Sequence, residues 1–368
     1  MPYLNITEVE SAVAGLAAAY PGTTQLITLP EPSIEGRTAH ALQIGAPAPV
    51  PKDCVMLIGG VHAREWGSCE ILVHFAADLL EAYQSGTGLG YGGTSFTAGQ
   101  VKALLQRLNL VVFPLVNPDG RLYSQTVDPM WRKNRNPANS GGSSNPDCIG
   151  VDINRNYDFL FDFTTAFAPT ATPQVSTNPC DQQVYEGPRA FSEPETRNVR
   201  WLLDQHPRTR WLVDVHSYSQ DMLYNWGDDD NQSIDPSMNF RNARYDGKRG
   251  LPGDAAYAEY IPKDDADSAL ELATAFCQGV QGVRGTAYKP LTGFHLYPTS
   301  GTSDDYVFSR HFVDPAQGKV LGFTVEWGKK FHPLWAEMEQ IVLDVDAGLV
   351  QFCVATAGPA QPPAPPQP

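Results

Sequence analysis

Four short apolar runs, Cys54–Ile58, Leu108–Val112, Trp211–Val215 and Gly322–Val325, stand out from a background rich in Gly, Pro, Asn and Asp. A continuous apolar run of this length suits a strand covered on both faces, because its alternating side chains all meet protein. Between these runs the apolar positions change to helical spacing over Glu65–Tyr83, Glu193–His206, Ser268–Val280 and Pro333–Phe352. Strands alternating with helices predict an α/β fold: a mixed, mostly parallel twisted sheet flanked by helices on both faces. Near the start, Thr7 and Glu10 read as a capping box that opens a helix through Val9, Val13, Leu16 and Ala17, stopped at Pro21-Gly22.

Two segments, about residues 129–190 and 226–265, carry no such periodicity and are dense in Asn, Asp, Pro and Gly. Loops that long usually build a site or are disordered. Residues 357–368 read as a disordered proline-rich tail, which leaves 1–356 as one catalytic domain. At 368 residues and 42% apolar content the chain can bury a large core. Its 26 basic and 41 acidic side chains give 26 − 41 = −15, and no basic stripe interrupts that excess, so nucleic acid is not an expected partner. No uninterrupted apolar stretch reaches the roughly 18 residues of a bilayer span, and Met1–Asn5 lacks the basic and apolar regions of a signal peptide. No membrane partner is expected, and the location stays open between the cytoplasm and a mature form whose leader was removed. The six cysteines show no CxxC spacing for a metal.

The candidate chemistry lies at the ends of the apolar runs. His62 and Glu65, three residues apart on the turn after Cys54–Ile58, form a pair that zinc accepts, and His216 follows Trp211–Val215. Open α/β sheets place their ligand sites at the carboxyl ends of strands. Two histidines and one glutamate leave a fourth position open, as catalytic zinc sites do. One zinc ion per chain is therefore the expected cofactor, with His62, Glu65 and His216 as ligands. Glu326 ends the fourth run among apolar neighbours, which resist its ionisation and make it the candidate general base. Arg132, in Trp131-Arg132-Lys133-Asn134-Arg135, and Asn154-Arg155, in Gly150–Tyr157, supply guanidinium and amide donors suited to carboxylates and oxyanions. An acidic run, Asp228-Asp229-Asp230 with Asn231, fits no EF-hand spacing and reads as solvated. The sequons at Asn5 and Asn231 carry no weight.

Taken together, these segments resemble the zinc metallocarboxypeptidases of the pancreatic carboxypeptidase A and B type, in order from about residue 3 to 353. The resemblance implies that His62, Glu65 and His216 are zinc ligands, that Asp152 orients His62, and that Glu326 is the catalytic glutamate. It implies that Arg64 and Arg132 act on the scissile carbonyl and its oxyanion, while Asn154 and Arg155 grip the substrate's terminal carboxylate. Tyr297 matches the mobile tyrosine that closes over the substrate. Asp304 matches the deep position of the specificity pocket, where aspartate resembles the B type and favours C-terminal Lys or Arg, with dual basic and apolar specificity left open. Leu223 and Gly227 match pocket positions that leave room for a long side chain. Cys148 and Cys180 match a disulfide of some relatives, which favours export from the cytoplasm.

The expected activity is removal of one C-terminal amino acid from a peptide with a free carboxylate, by a monomer. A peptidoglycan or isopeptide hydrolase on the same scaffold, cutting D-amino-acid or γ-linked substrates, is the alternative. A non-catalytic protein that captures peptide tails is a third reading.

Overall fold

The computed structural model describes residues 3–358. The proline-rich tail therefore lies, from residue 359, outside the described residues.

Eight strands form the main sheet: β1 (Thr24–Thr28), β2 (His40–Ile44), β3 (Asp53–Gly59), β4 (Leu108–Phe113), β5 (Thr209–His216), β6 (Asp221–Tyr224), β7 (Lys289–Thr292) and β8 (Leu321–Glu326). Their spatial order is β1-β2-β4-β3-β5-β8-β6-β7. The central block β4-β3-β5-β8 is parallel throughout. β1, β2 and β4 pair antiparallel with one another in sequence, β8 pairs antiparallel with β6, and β6 pairs parallel with β7. The four apolar runs are the core of this parallel block, and almost every one of their residues is buried.

The flanking helices are α1 (Ile6–Ala19), α2 (Gly67–Ser85), α3 (Ala98–Arg107), α4 (Pro118–Thr126), α5 (Pro194–Gln205), α6 (Lys263–Arg284), α7 (Ser303–Val313) and α8 (Trp335–Ala357). The capping box of α1 sits two residues earlier than the Thr7–Glu10 reading: Asn5 accepts from Glu8 N, and Glu8 returns a bond to Asn5 N. Asparagine is a stronger cap than threonine, and it starts the helix before the first apolar repeat. The long helices α6 and α8 pack together, and α8 packs on α2; α7 lies over β8 and β5. By length and composition α8 would suffice to cross a membrane, but 61% of its apolar window is buried against this fold, as in a core helix. Ala357, placed in the tail by its composition, is the last residue of α8.

Parallel pairing brings the carboxyl ends of β3, β5 and β8 to one edge, where Gly59 is in register with Val215 and Glu326 with His216. The long segments 129–190 and 226–265 are mostly irregular and hold several short turns of helix.

Candidate active site

The turn after β3 is fixed before any functional side chain is considered. Gly60 has φ +61°, and a Cβ there would stand 2.9 Å from the Pro114 carbonyl oxygen and from Cys69 Sγ, so only glycine lets the chain turn so close to β4. Backbone bonds from Val116 N to Gly59 O and from Asn117 N to Gly60 O hold the turn to the end of β4. Asn117 Nδ2 donates to both Val61 O and Lys133 O, and Ala63 N donates to Arg132 O. The His62 turn and the Arg132 segment are thus one unit.

His62, Glu65 and His216 converge there, all buried. His62 Nδ1 lies 2.8 Å from Glu65 Oε1, His216 Nδ1 lies 3.0 Å from Glu65 Oε2, and the two Nδ1 atoms are 2.9 Å apart. Their outer nitrogens face carboxylates: His62 Nε2 is 3.1 Å from Asp152 Oδ1, and His216 Nε2 is 2.9 Å from Asp214 Oδ1. The second pair is close in distance but out of hydrogen-bonding alignment. Carboxylates behind both rings favour the tautomer that turns each Nδ1 lone pair inward, which is how metal-binding imidazoles are usually oriented. Two imidazole nitrogens and a carboxylate facing one another across such distances are a donor set for a cation, and they fit zinc. Burial alone would raise the Glu65 pKa, yet the two histidines hold it well below the usual carboxylate range.

Asp152 is the junction of the site. Fully buried, it faces His62 and accepts from Arg132 Nε and Nη2 at 3.1 and 2.9 Å. Burial pushes its carboxyl up, but Arg132 and His62 outweigh burial and keep it ionised. Arg132 Nη1 makes no hydrogen bond among the described residues. Arg64 stacks on the Phe331 ring at 4.2 Å and donates to Gln183 Oε1 at 2.8 Å.

Glu326 ends β8 beside this cage. Burial, reinforced by the charge of Glu65, pushes its carboxyl up to about 8, while His216 and Arg132 pull the other way. A cation held by His62, Glu65 and His216 lowers it from there by adding positive charge.

An adjoining cavity is lined by Asn154, Arg155, Leu223, Gly227, Tyr297, Asp304 and Glu326, among others. Arg155 is nearly buried; its Nε and Nη1 hold the carbonyls of Gln174 and Asn154. Its Nη2, and Nδ2 of Asn154, have no hydrogen-bond partner among the described residues. Asn154 is itself positioned by Ser303 N, which donates to its Oδ1. Tyr297 is 36% exposed at the rim, with its hydroxyl likewise unpartnered. Asp304 is buried, and accepts from Thr324 Oγ1 and Asp305 N, both at 3.0 Å.

The structure therefore joins His62, Glu65, His216, Asp152 and Arg132 at this edge, places Asn154, Arg155, Leu223, Gly227, Tyr297, Asp304 and Glu326 on the adjoining cavity, and bonds Cys148 to Cys180 across the segment that carries Asn154 and Arg155. Gly227 lines the cavity, and contact requires glycine there as much as room does: a Cβ would come 2.6 Å from Thr299 Oγ1 and 2.8 Å from Asp305 Oδ2. One reading needs correction. The acidic run is not solvated, because Asp228 and Asp229 are buried, Asp229 accepts from Gly250 N, and Asp230 accepts from Gly253 N. It ties the 226–265 segment to itself.

Other functional neighbours escaped the sequence reading. Asp214 stands two residues before His216 on β5, so both side chains leave the same face; that spacing was the available signal. Ser303, which donates to Asp214 Oδ2 at 2.7 Å, and Asp305, which accepts from Gly227 N and Asn225 Nδ2, had none.

The profile of the zinc carboxypeptidase family matches residues 9–345. Carboxypeptidase A2 of Rattus norvegicus is 27% identical over 308 residues, 83% of this chain and 59% of that protein. The chain thus spans about three fifths of the length of that relative. Carboxypeptidase B of Astacus astacus is 31% identical over 306 residues, 83% of this chain and 81% of that protein. Among solved structures, thrombin activatable fibrinolysis inhibitor superposes with a TM-score of 0.72 at 20% identity, over 96% of this chain and 74% of that one, which is a likeness of fold.

Proposed function

The chain belongs to the zinc carboxypeptidase family, and from that premise we propose that it removes single amino acids from the C-terminus of peptides, with a preference for Lys and Arg. The observation that carries this reading is one cavity lined by Asn154, Arg155, Asp304 and Glu326, with Glu326 paired in register with His216 of the His62–Glu65–His216 cage.

Free donors on Arg155 and Asn154 suit a terminal carboxylate, and an internal peptide bond offers nothing to pair with them. Holding that carboxylate sets the last peptide carbonyl at a fixed reach from Glu326 and Arg132. Zinc bound by His62, Glu65 and His216 supplies Lewis-acid polarisation of the carbonyl and lowers the pKa of water. Glu326 takes the proton from the attacking water as the new C–O bond forms. Arg132, whose Nη1 is free while Asp152 holds its other nitrogens, carries the charge that develops on the carbonyl oxygen. Glu326 then passes the proton to the departing amine as the C–N bond breaks, giving a shortened peptide and one free amino acid. Tyr297, exposed at the rim, is positioned to close over the bound residue.

Asp304 supports the basic preference. It is a buried carboxylate on the cavity wall whose partners are a hydroxyl and a backbone N–H, with no cation, so a Lys or Arg side chain supplies the missing charge. The Cys148–Cys180 disulfide supports export to an oxidising compartment.

The test is release of the last residue from matched peptides ending in Lys, Arg, Phe, Leu and Glu, with and without a zinc chelator. Chelator-sensitive release, fastest from Lys and Arg, is the expected result. No release from any of them by the zinc-loaded protein would overturn the reading.

A further inference from the structure

Away from the catalytic edge, a second set of ligand atoms converges between two helices. His74 and Asp78 are four residues apart on α2 and so share one face; Asp346 of α8 meets them. His74 Nδ1 lies 2.5 Å from Asp346 Oδ2 and 3.5 Å from Asp78 Oδ2, and all three groups offer ligand atoms within 4.8 Å of one another. A separation of about 3.4 Å is the edge of a tetrahedron whose centre is about 2.1 Å from each ligand, the usual zinc distance. The His74–Asp78 pair already has that spacing.

An ion pair within the cluster accounts for only part of it. A protonated His74 has one Nδ1–H, and Asp346 Oδ2 takes it. Asp346 is wholly buried, yet its Oδ1 has no hydrogen-bond partner among the described residues. Buried polar atoms are partnered in roughly nine cases of ten. An exception on the carboxylate that already pairs with His74 indicates a missing positive charge.

We propose that His74, Asp78 and Asp346 bind a divalent transition-metal ion, distinct from the catalytic zinc, that ties α2 to α8. One imidazole with carboxylates suits zinc, cobalt or nickel better than calcium or magnesium, which prefer all-oxygen shells. The ion reaches the site from solvent, because the His74 and Asp78 side chains are 43% and 27% exposed while Asp346 forms the floor. Since α2 begins two residues after Glu65, a clamp on its outer face steadies the helix behind the catalytic turn.

The metal-free chain is titrated with Co²⁺, following bound metal per chain and the thermal midpoint. Two equivalents are expected, the second raising the midpoint further. His74→Ala and, separately, Asp78→Asn should each weaken that second equivalent by about tenfold or more while keeping the first and full peptidase activity; both positions are partly exposed, so folding is preserved. His62→Ala should lose the catalytic equivalent and retain the one at His74. A single equivalent in the wild type, or a second that survives both His74→Ala and Asp78→Asn, would overturn the proposal.

Discussion

Half-buried Glu326 and buried Asp304 are carboxylates on one cavity, and their surroundings assign them different work. Glu326 lies beside Glu65 and His216 of the cage and beside Arg132, whereas Asp304 accepts from Thr324 and a backbone N–H. Glu326→Gln keeps the size and loses the proton acceptor, so turnover should fall by about 10² to 10⁴-fold with metal content unchanged. A variant retaining wild-type kcat would remove Glu326 from the mechanism. Asp304→Ala removes the only charge proposed to read the side chain. It should lower kcat/KM for C-terminal Arg by about 10²-fold and leave C-terminal Phe nearly untouched; equal losses on both would show that Asp304 is structural. At this scale the sequence was informative where chemistry coincides with position. His216 and Glu326 are legible because each closes an apolar strand. Asp305 is not, because its neighbour Asp304 carries the same side chain, and only the fold decides which one faces the cavity and which grips Gly227.

At the scale of elements, the four central strands were legible because strands covered on both faces must be apolar throughout. The edge strands β1 and β7 are only five and four residues long and carry mixed burial, so their sequences resemble the loops around them. The irregular segments hold half of the proposed substrate-binding residues, Asn154, Arg155 and Gly227, and their order comes from cross-links that no periodicity encodes. The Cys148–Cys180 bond spans 32 positions around Asn154 and Arg155. Closing a loop of that length restrains the unfolded chain by roughly 3–4 kcal/mol. The double variant Cys148→Ser/Cys180→Ser should therefore unfold at lower denaturant by about that amount. It should also raise KM more than it lowers kcat, since the loosened segment carries the carboxylate grip and not Glu326. Unchanged KM in a destabilised variant would separate the disulfide from substrate binding.

Over the whole molecule, the net charge of −15 is not all displayed at the surface, because many acids are buried inside. Burial pushes Glu195 and Asp229 up to about 8, and Glu70 and Glu259 up to about 7. A carboxyl whose pKa is higher folded than unfolded binds more protons in the native state at intermediate pH. Its contribution to stability is fully present below the unfolded pKa and is lost as pH rises through the folded one. For these four groups that loss runs from about pH 4 to 8. Asp152 acts in the opposite sense: its carboxyl is held down by Arg132 and His62 against burial, and its contribution disappears only in stronger acid. The two trends place maximal stability on the acid side of neutrality. Thermal midpoints measured at fixed ionic strength should be higher near pH 5 than near pH 8, and a midpoint that climbs steadily across that interval would contradict this account. Replacing Glu195 by Gln tests the sign locally, because a neutral isostere with the same hydrogen-bonding reach toward Asn134 should flatten the decline at alkaline pH and change little at pH 5.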